Sequence, residues 1–161
     1  MAAGAAGAKE RRIVVAVDEG DESMHALSWC LKNVVADGAP GDTLVLLHAK
    51  PTRTVYPSMD GTGYLFSAEM MTTMDRCSSE VADAVVARAK QACQGLRNVK
   101  VETKVEAGNP RDVICETVEK VGADTLVMGS HGYGPIKRAF MGSVSSHCAK
   151  HVKCPVLIVK K

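Results

Sequence analysis

The 161-residue sequence is poor in aromatic side chains, with one Trp, three Tyr and two Phe making 4% of the chain. Since 46% of its residues are hydrophobic, the core must be aliphatic and built of small side chains; with 24% charged, global disorder is excluded. No stretch approaches the roughly 18 uninterrupted apolar residues of a membrane-spanning helix. No charge of one sign dominates either: 20 Lys and Arg stand against 18 Asp and Glu, so a dedicated nucleic-acid surface is not indicated. The first ten residues, MAAGAAGAKE, lack the early positive charge and apolar stretch of a secretory leader, and Ala2 excludes myristoylation. They read as a frayed tail, residues 1–10, on a single domain spanning 11–161 in a cytoplasmic protein, with the nucleus also open to it. The six cysteines contain no CxxC pair and read as free thiols. Two phosphate-binding signatures are missing as well. There is no GxxxxGK[ST], and the turn Asp18-Glu19-Gly20-Asp21-Glu22 carries one glycine where a dinucleotide enzyme carries GxGxxG.

What is present is a strict alternation of periods. Arg12 to Val17 (RIVVAV), Thr43 to Ala49 (TLVLLHA), Thr125 to Met128 (TLVM) and Pro155 to Val159 (PVLIV) are short apolar runs that read as buried strands. Val99 to Val105 alternates Val101, Thr103 and Val105 with charged residues, the period of an edge strand with one wet face. Between the strands lie helical stripes. The first begins near Asp21 or Ser23 as cap and stops at Gly38. The second runs from Ser67 to Gln94, about 40 Å at the rise of an α-helix. The third starts on Asn109 and Pro110 and stops at Gly122. The fourth is Ser143 to His151. The aperiodic residues 50–66 form a long connection, about sixteen residues; with Tyr56, Tyr64 and Phe66 it is expected to be a mobile flap beside the site. Alternation of this kind predicts a Rossmann-like α/β fold with a parallel sheet covered on both faces, its ligands lying beyond the carboxyl ends of the strands.

The segment from Gly129 to Ser143 concentrates the chemistry. Gly129 ends a strand and Gly142 precedes a helix, so a phosphate could approach bare backbone at both. Ser143 reads as the helix N-cap, leaving the N–H groups of Val144, Ser145 and Ser146 at the positive end of the helix dipole. The hydroxyls of Ser143 and Ser145, with Lys137 and Arg138, add donors and positive charge; an ordinary glycine-rich connector with a Ser cap is the alternative. His131 lies in the same loop and could meet a phosphate or act as an acid, although a lone histidine more often bonds nearby backbone. His147, His151 and Cys154 have zinc-like spacing, yet no second cluster completes a set, and no metal site is assigned. Met70, Met71 and Met74 read as core or dimer filler.

The spacing Gly129-x2-Gly132-x9-Gly142-Ser143 resembles the nucleotide-binding motif of the universal stress protein family, G-x2-G-x9-G-[ST], without a mismatch. The likeness extends over Arg11 to Lys161, through VVAVDEG, LLHA, GNPRDVICE, GADTLVMGSHG and CPVLIVK, and is similar in particular to the single-domain plant members. It implies a five-stranded parallel sheet in the order 3-2-1-4-5, of the adenine-nucleotide alpha-hydrolase-like type. It also implies ATP or AMP as ligand, with Mg²⁺ as an accompanying ion, since branches lacking the glycines do not bind. By the same resemblance Gly129, Gly132, Gly142 and Ser143 hold ribose and phosphates, and Val144 and Ser145 continue that contact. Asp18 accepts from the ribose hydroxyls, a role its other reading, a cap for the first helix, leaves open. Ala16, Val17 and Met128 line the adenine slot, and the backbone of Ala49 reads the base edge. A homodimer through Pro155 to Val159 is implied too, where an apolar edge strand has only Lys160 and Lys161 as protection. The expected function is a nucleotide-dependent binding module or sensor in a stress response, not an enzyme. Slow ATP hydrolysis or adenylyl transfer at the same site, and a thiol-based holdase, are the alternatives.

Overall fold

The computed structural model describes residues 10–35, 41–51, 68–131 and 142–161. Five strands, β1 (Arg12–Ala16), β2 (Asp42–Lys50), β3 (Val99–Ala107), β4 (Thr125–Gly129) and β5 (Val156–Val159), alternate with four helices, α1 (Asp21–Asn33), α2 (Ala68–Ala92), α3 (Pro110–Val121) and α4 (Ser143–His151). All strands are parallel, in the order β3-β2-β1-β4-β5, as the alternation and the resemblance predict. The chain moves outward from β1 through β2 to β3, then crosses back to place β4 on the other side of β1. That reversal lies between the carboxyl ends of β1 and β4, where an open α/β sheet leaves a crevice.

Side chains alternate across the pleat and build a core on each face. Ile13, Val15, Leu44, Leu46 and Val127 pack against Ala26, Leu27 and Cys30 of α1, against Val85 and Ala89 of α2 and against Cys93 just beyond it. On the other face Val14, Val45, Leu47, Leu126 and Met128 pack against Val113, Ile114 and Val118 of α3 and Cys148 of α4. Each fully buried Leu, Ile or Val contributes about 1.5–3 kcal/mol by leaving water. At the amino ends of the strands Arg11 Nε donates to the buried carboxylate of Asp42 at 3.0 Å, and its Nη2 donates to the carbonyl of Val34 at 3.1 Å. This ties the end of α1 to the start of β2.

Several boundaries differ from the sequence reading. The start of α1 is capped by Gly20, not by Asp21 or Ser23, so the cap residue itself has no side chain to offer the first amides. Its end comes at Asn33, ahead of the expected Gly38, which lies outside the described residues. Asn33 Nδ2 donates to the Trp29 carbonyl at 2.9 Å and Arg11 draws off the Val34 carbonyl, so the last turn is satisfied there. In contrast α3 follows its signals: the Asn109 side chain accepts from the Arg111 N–H, Pro110 opens the helix, and Gly122 closes it at φ 63°. The edge position of β3 holds, but its alternation does not bury one face throughout, since Thr103 and Val105 are exposed. Met70 and Met74, read as core or dimer filler, are 48% and 47% exposed and contribute nothing to either core.

Candidate functional site

The carboxyl ends of β1, β2 and β4 open into a cleft of about 190 Å³. Its lining includes Ala16, Val17, Asp18, Ala49, Met128, Gly129, His131, Val144 and Ser145, nine of the twelve residues singled out from the sequence. Gly142 and Ser143 stand immediately before Val144 at the start of α4. Gly132 lies outside the described residues, as do Lys137, Arg138 and residues 52–67, which hold the expected flap.

Three local structures shape this cleft. The first surrounds Asp18. The buried His48 donates from Nδ1 to the Val17 carbonyl at 2.9 Å, a direction set by the carbonyl, which can only accept. Val17 N–H donates to the Leu47 carbonyl at 2.8 Å, so the β1–β2 ladder runs one residue past the strand end. Asp18 N–H donates to Ser23 Oγ at 3.0 Å, and one carboxylate oxygen, Oδ1, accepts from the Gly20 N–H at 2.8 Å. Asp18 therefore holds the turn that leads into α1 through the amide of the cap residue Gly20, and it lines the cleft.

The second structure is the start of α4. Ser143 was expected as N-cap; the cap is Gly142, at φ −62° and ψ 159°, whose carbonyl accepts the first helical bond from Ser146 N–H at 2.9 Å. The amides without an intrahelical partner at the helix start are therefore those of Ser143, Val144 and Ser145, one residue earlier than predicted. Ser145 contributes its amide but not its hydroxyl. That side chain is 2% exposed and its Oγ–H is shared between the carbonyls of Gly129, at 2.8 Å, and Ser130, at 3.1 Å.

The third is the turn Gly129–His131. The Ser130 carbonyl accepts from Gly142 N–H at 2.7 Å, so the chain leaves and re-enters the site at one point. A β-carbon built on Gly129 would lie 3.1 Å from the backbone carbon and oxygen of Glu22, which is why α1 can approach this strand end only over a glycine.

The arrangement joins an apolar slot, formed by Ala16, Leu47, Ala49, Ile114 and Met128, to a single carboxylate, Asp18, and to a helix start with open amides. It suits a ligand with a flat apolar part, vicinal hydroxyls and an anionic end. Leu47, Ser23, Pro110 and Ile114 also line the cleft and were not singled out from the sequence. Pro110 and Ile114 had a signal, since the Asn109-Pro110 start places the first turn of α3 beside a strand's carboxyl end. Glu22 and Ser130, which hold the third structure, were missed as well.

Among the described residues no group of three His, Cys, Asp or Glu is placed to hold a metal, and no helix is long and apolar enough to cross a membrane. His147 and His151 stack at 4.1 Å between ring centroids, with His151 Nδ1–H donating to the His147 carbonyl. The cysteines are free thiols. Burial pushes Cys30 and Cys93 up to about 11, and burial with the neighbouring Cys115 thiol pushes Cys148 up to about 12.

A doubly wound α/β domain with its cleft at the strand reversal is the class this geometry defines. Within that class the chain belongs to the universal stress protein family, whose model matches residues 10–160. It is 31% identical over 164 residues to the universal stress protein PHOS32 of Arabidopsis thaliana, covering 96% of this chain and 66% of that one, just under two thirds of the relative's length. Among solved structures it resembles a universal stress protein family protein of Arabidopsis thaliana with AMP bound. That likeness has 25% identity and a TM-score of 0.68, over 94% of this chain and 92% of that one. The universal stress protein UspA of Lactobacillus plantarum shares the fold at 20% identity, with a TM-score of 0.72 over 95% of this chain and 99% of that one.

Proposed function

We propose that this protein is an adenine-nucleotide-binding module of the stress response, holding ATP or AMP in the cleft and presenting its occupancy to partners. The observation that carries this reading is the meeting, in one cleft, of the apolar slot, the Asp18 carboxylate and the open amides of α4. Adenine would lie between Ala16, Ala49 and Met128, the ribose hydroxyls would donate to Asp18, and the phosphates would accept from the amides of Ser143, Val144 and Ser145. Gly129 and Gly142 give the anion access to backbone, with Gly132 assigned by the motif alone. The Arabidopsis relative with AMP bound supports the same reading. If Mg²⁺ accompanied the nucleotide, Asp18, the one carboxylate among the described lining residues, would be the side chain available to it.

Binding without obligatory turnover fits the site. Asp18 Oδ1 is engaged by Gly20, the Ser145 hydroxyl is engaged by two carbonyls, and the Ser130 hydroxyl, 3.1 Å from His131 Nδ1, is directed at Glu22 Oε2. The thiol-based alternative has less support, because Cys30, Cys93 and Cys148 are buried and held as thiols, which are poor nucleophiles. Calorimetric titration of the pure protein with AMP and ATP tests the reading: saturable binding is expected, weakened at least tenfold in Asp18→Ala. Absence of binding to either nucleotide overturns it. Steady release of phosphate well above background, abolished in Asp18→Ala, would instead make the protein an enzyme.

The proposal extends to a homodimer. Among the described residues no strand pairs with the outer edge of β5, which carries half-buried Val156, Leu157 and Ile158, and pairing it with its twofold mate would cover edge and side chains alike. Light scattering showing a monomer at micromolar concentration would refute the dimer. A cytoplasmic location belongs to the same proposal, and fractionation of cells checks it.

A further inference from the structure

The cleft loop is held from outside the cleft by one carboxylate. Glu22, in the first turn of α1, does not line the cleft. Its Oε2 accepts from His131 N–H at 3.0 Å and from Ser130 Oγ–H at 3.2 Å. Ser130 has a single hydroxyl hydrogen. With that hydrogen directed at Glu22, its oxygen accepts from His131 Nδ1–H at 3.1 Å, while the ring nitrogen stands 3.5 Å from Glu22 itself. Glu22 Oε2 thereby holds the backbone of His131 directly and contacts its ring through Ser130 Oγ, and His131 does line the cleft.

The same turn is held from its other side by the Ser145 hydroxyl on the carbonyls of Gly129 and Ser130. Donors are caught by Glu22 and acceptors by Ser145, so the turn has no peptide group free to rotate without breaking a bond on one side. The Glu22 side chain is 19% exposed, and hydrogen bonds to a charged acceptor in so sheltered a place are among the stronger ones.

We infer that Glu22 is a positioning residue for the proposed nucleotide site: it presets the Gly129–His131 turn in its binding conformation and links that turn to α1. The inference rests on the nucleotide reading. Because both accepted bonds fall on one oxygen, Gln in this place can keep them through its amide oxygen, whereas Ala cannot.

The test is a set of AMP titrations on wild type, Glu22→Ala, Glu22→Gln and, as a charge control, Glu19→Ala at the neighbouring exposed acid, with amide hydrogen exchange read at His131. The expected result is about tenfold or greater weakening in Glu22→Ala together with faster exchange at His131. Glu22→Gln and Glu19→Ala should stay within about threefold of wild type. Wild-type affinity in Glu22→Ala overturns the inference, and so does an equal loss in Glu22→Gln, which would make charge the operative property. If wild type itself binds no nucleotide, the functional reading fails, and unchanged exchange at His131 in Glu22→Ala would then separately refute the clamp.

Discussion

Ser145 Oγ donates to the carbonyl of Gly129 at 2.8 Å, joining the start of α4 to the end of β4 across fifteen intervening residues. The bond is buried and shared with Ser130. Replacing Ser145 by Ala leaves two carbonyls without that donor, which costs about 1–3 kcal/mol when the groups stay dry. Urea unfolding of Ser145→Ala should show a lower midpoint at unchanged slope, and AMP affinity should fall with it. A midpoint equal to that of wild type would mean that water replaces the hydroxyl.

Gly142→Asp separates binding from folding by sign. Gly142 is the N-cap of α4 and its backbone angles suit any residue, so Asp, a favoured cap, should hold or raise stability by up to about 1 kcal/mol. The same carboxylate would occupy the place proposed for phosphate and repel it. Thermal unfolding at or above the wild-type midpoint, with nucleotide binding reduced beyond detection, is the expected pair of results. Calorimetry showing unchanged affinity would place the nucleotide elsewhere.

Gly129→Ala should behave differently from Gly142→Asp, because its β-carbon meets backbone. The atoms it would approach at 3.1 Å belong to the Glu22 peptide, which cannot swing aside as a side-chain tip could. Moving α1 away costs about 1–3 kcal/mol and loosens the Glu22 contacts with Ser130 and His131. Both stability and affinity should drop, read by denaturant melts and titration on the same sample.

The thiols supply a pH prediction. Cys30, Cys93 and Cys148 are raised in the folded state, so the unfolded chain loses their protons first as pH rises. Their contribution to stability is full below the ordinary thiol value near 9 and is lost between there and about 11 to 12, at about 1 kcal/mol per pH unit for each thiol. Denaturant melts across that window should show a decline that flattens in a triple Cys→Ala variant. Under native conditions a maleimide should modify the exposed Cys77 first and reach the three buried thiols only on unfolding.

The alternation of periods made the sheet and its layers legible, and where a terminus carried redundant signals its boundary was legible too. Asn109, Pro110 and Gly122 marked both ends of α3, and the start and end of α4 fell where the sequence placed them. The cap of α4 was misassigned because Gly142 and Ser143 are both acceptable N-caps; only the bond from Ser146 N–H to the Gly142 carbonyl distinguishes them. The methionines of α2 follow helical spacing, yet spacing does not reveal whether a neighbour stands opposite, and Met70 and Met74 face solvent. The role of Glu22 left no local mark, since its partners lie 108 and 109 residues away. The inward turn of the Ser145 hydroxyl was likewise invisible, because a serine at a helix start carries the same spacing whether it faces a ligand or a strand end.

The bond from Gly142 N–H to the Ser130 carbonyl brings the exit from β4 and the entry to α4 together at one point. Ser130 and the first turn of α4 are thereby coupled directly, so that a displacement at either is felt at the other.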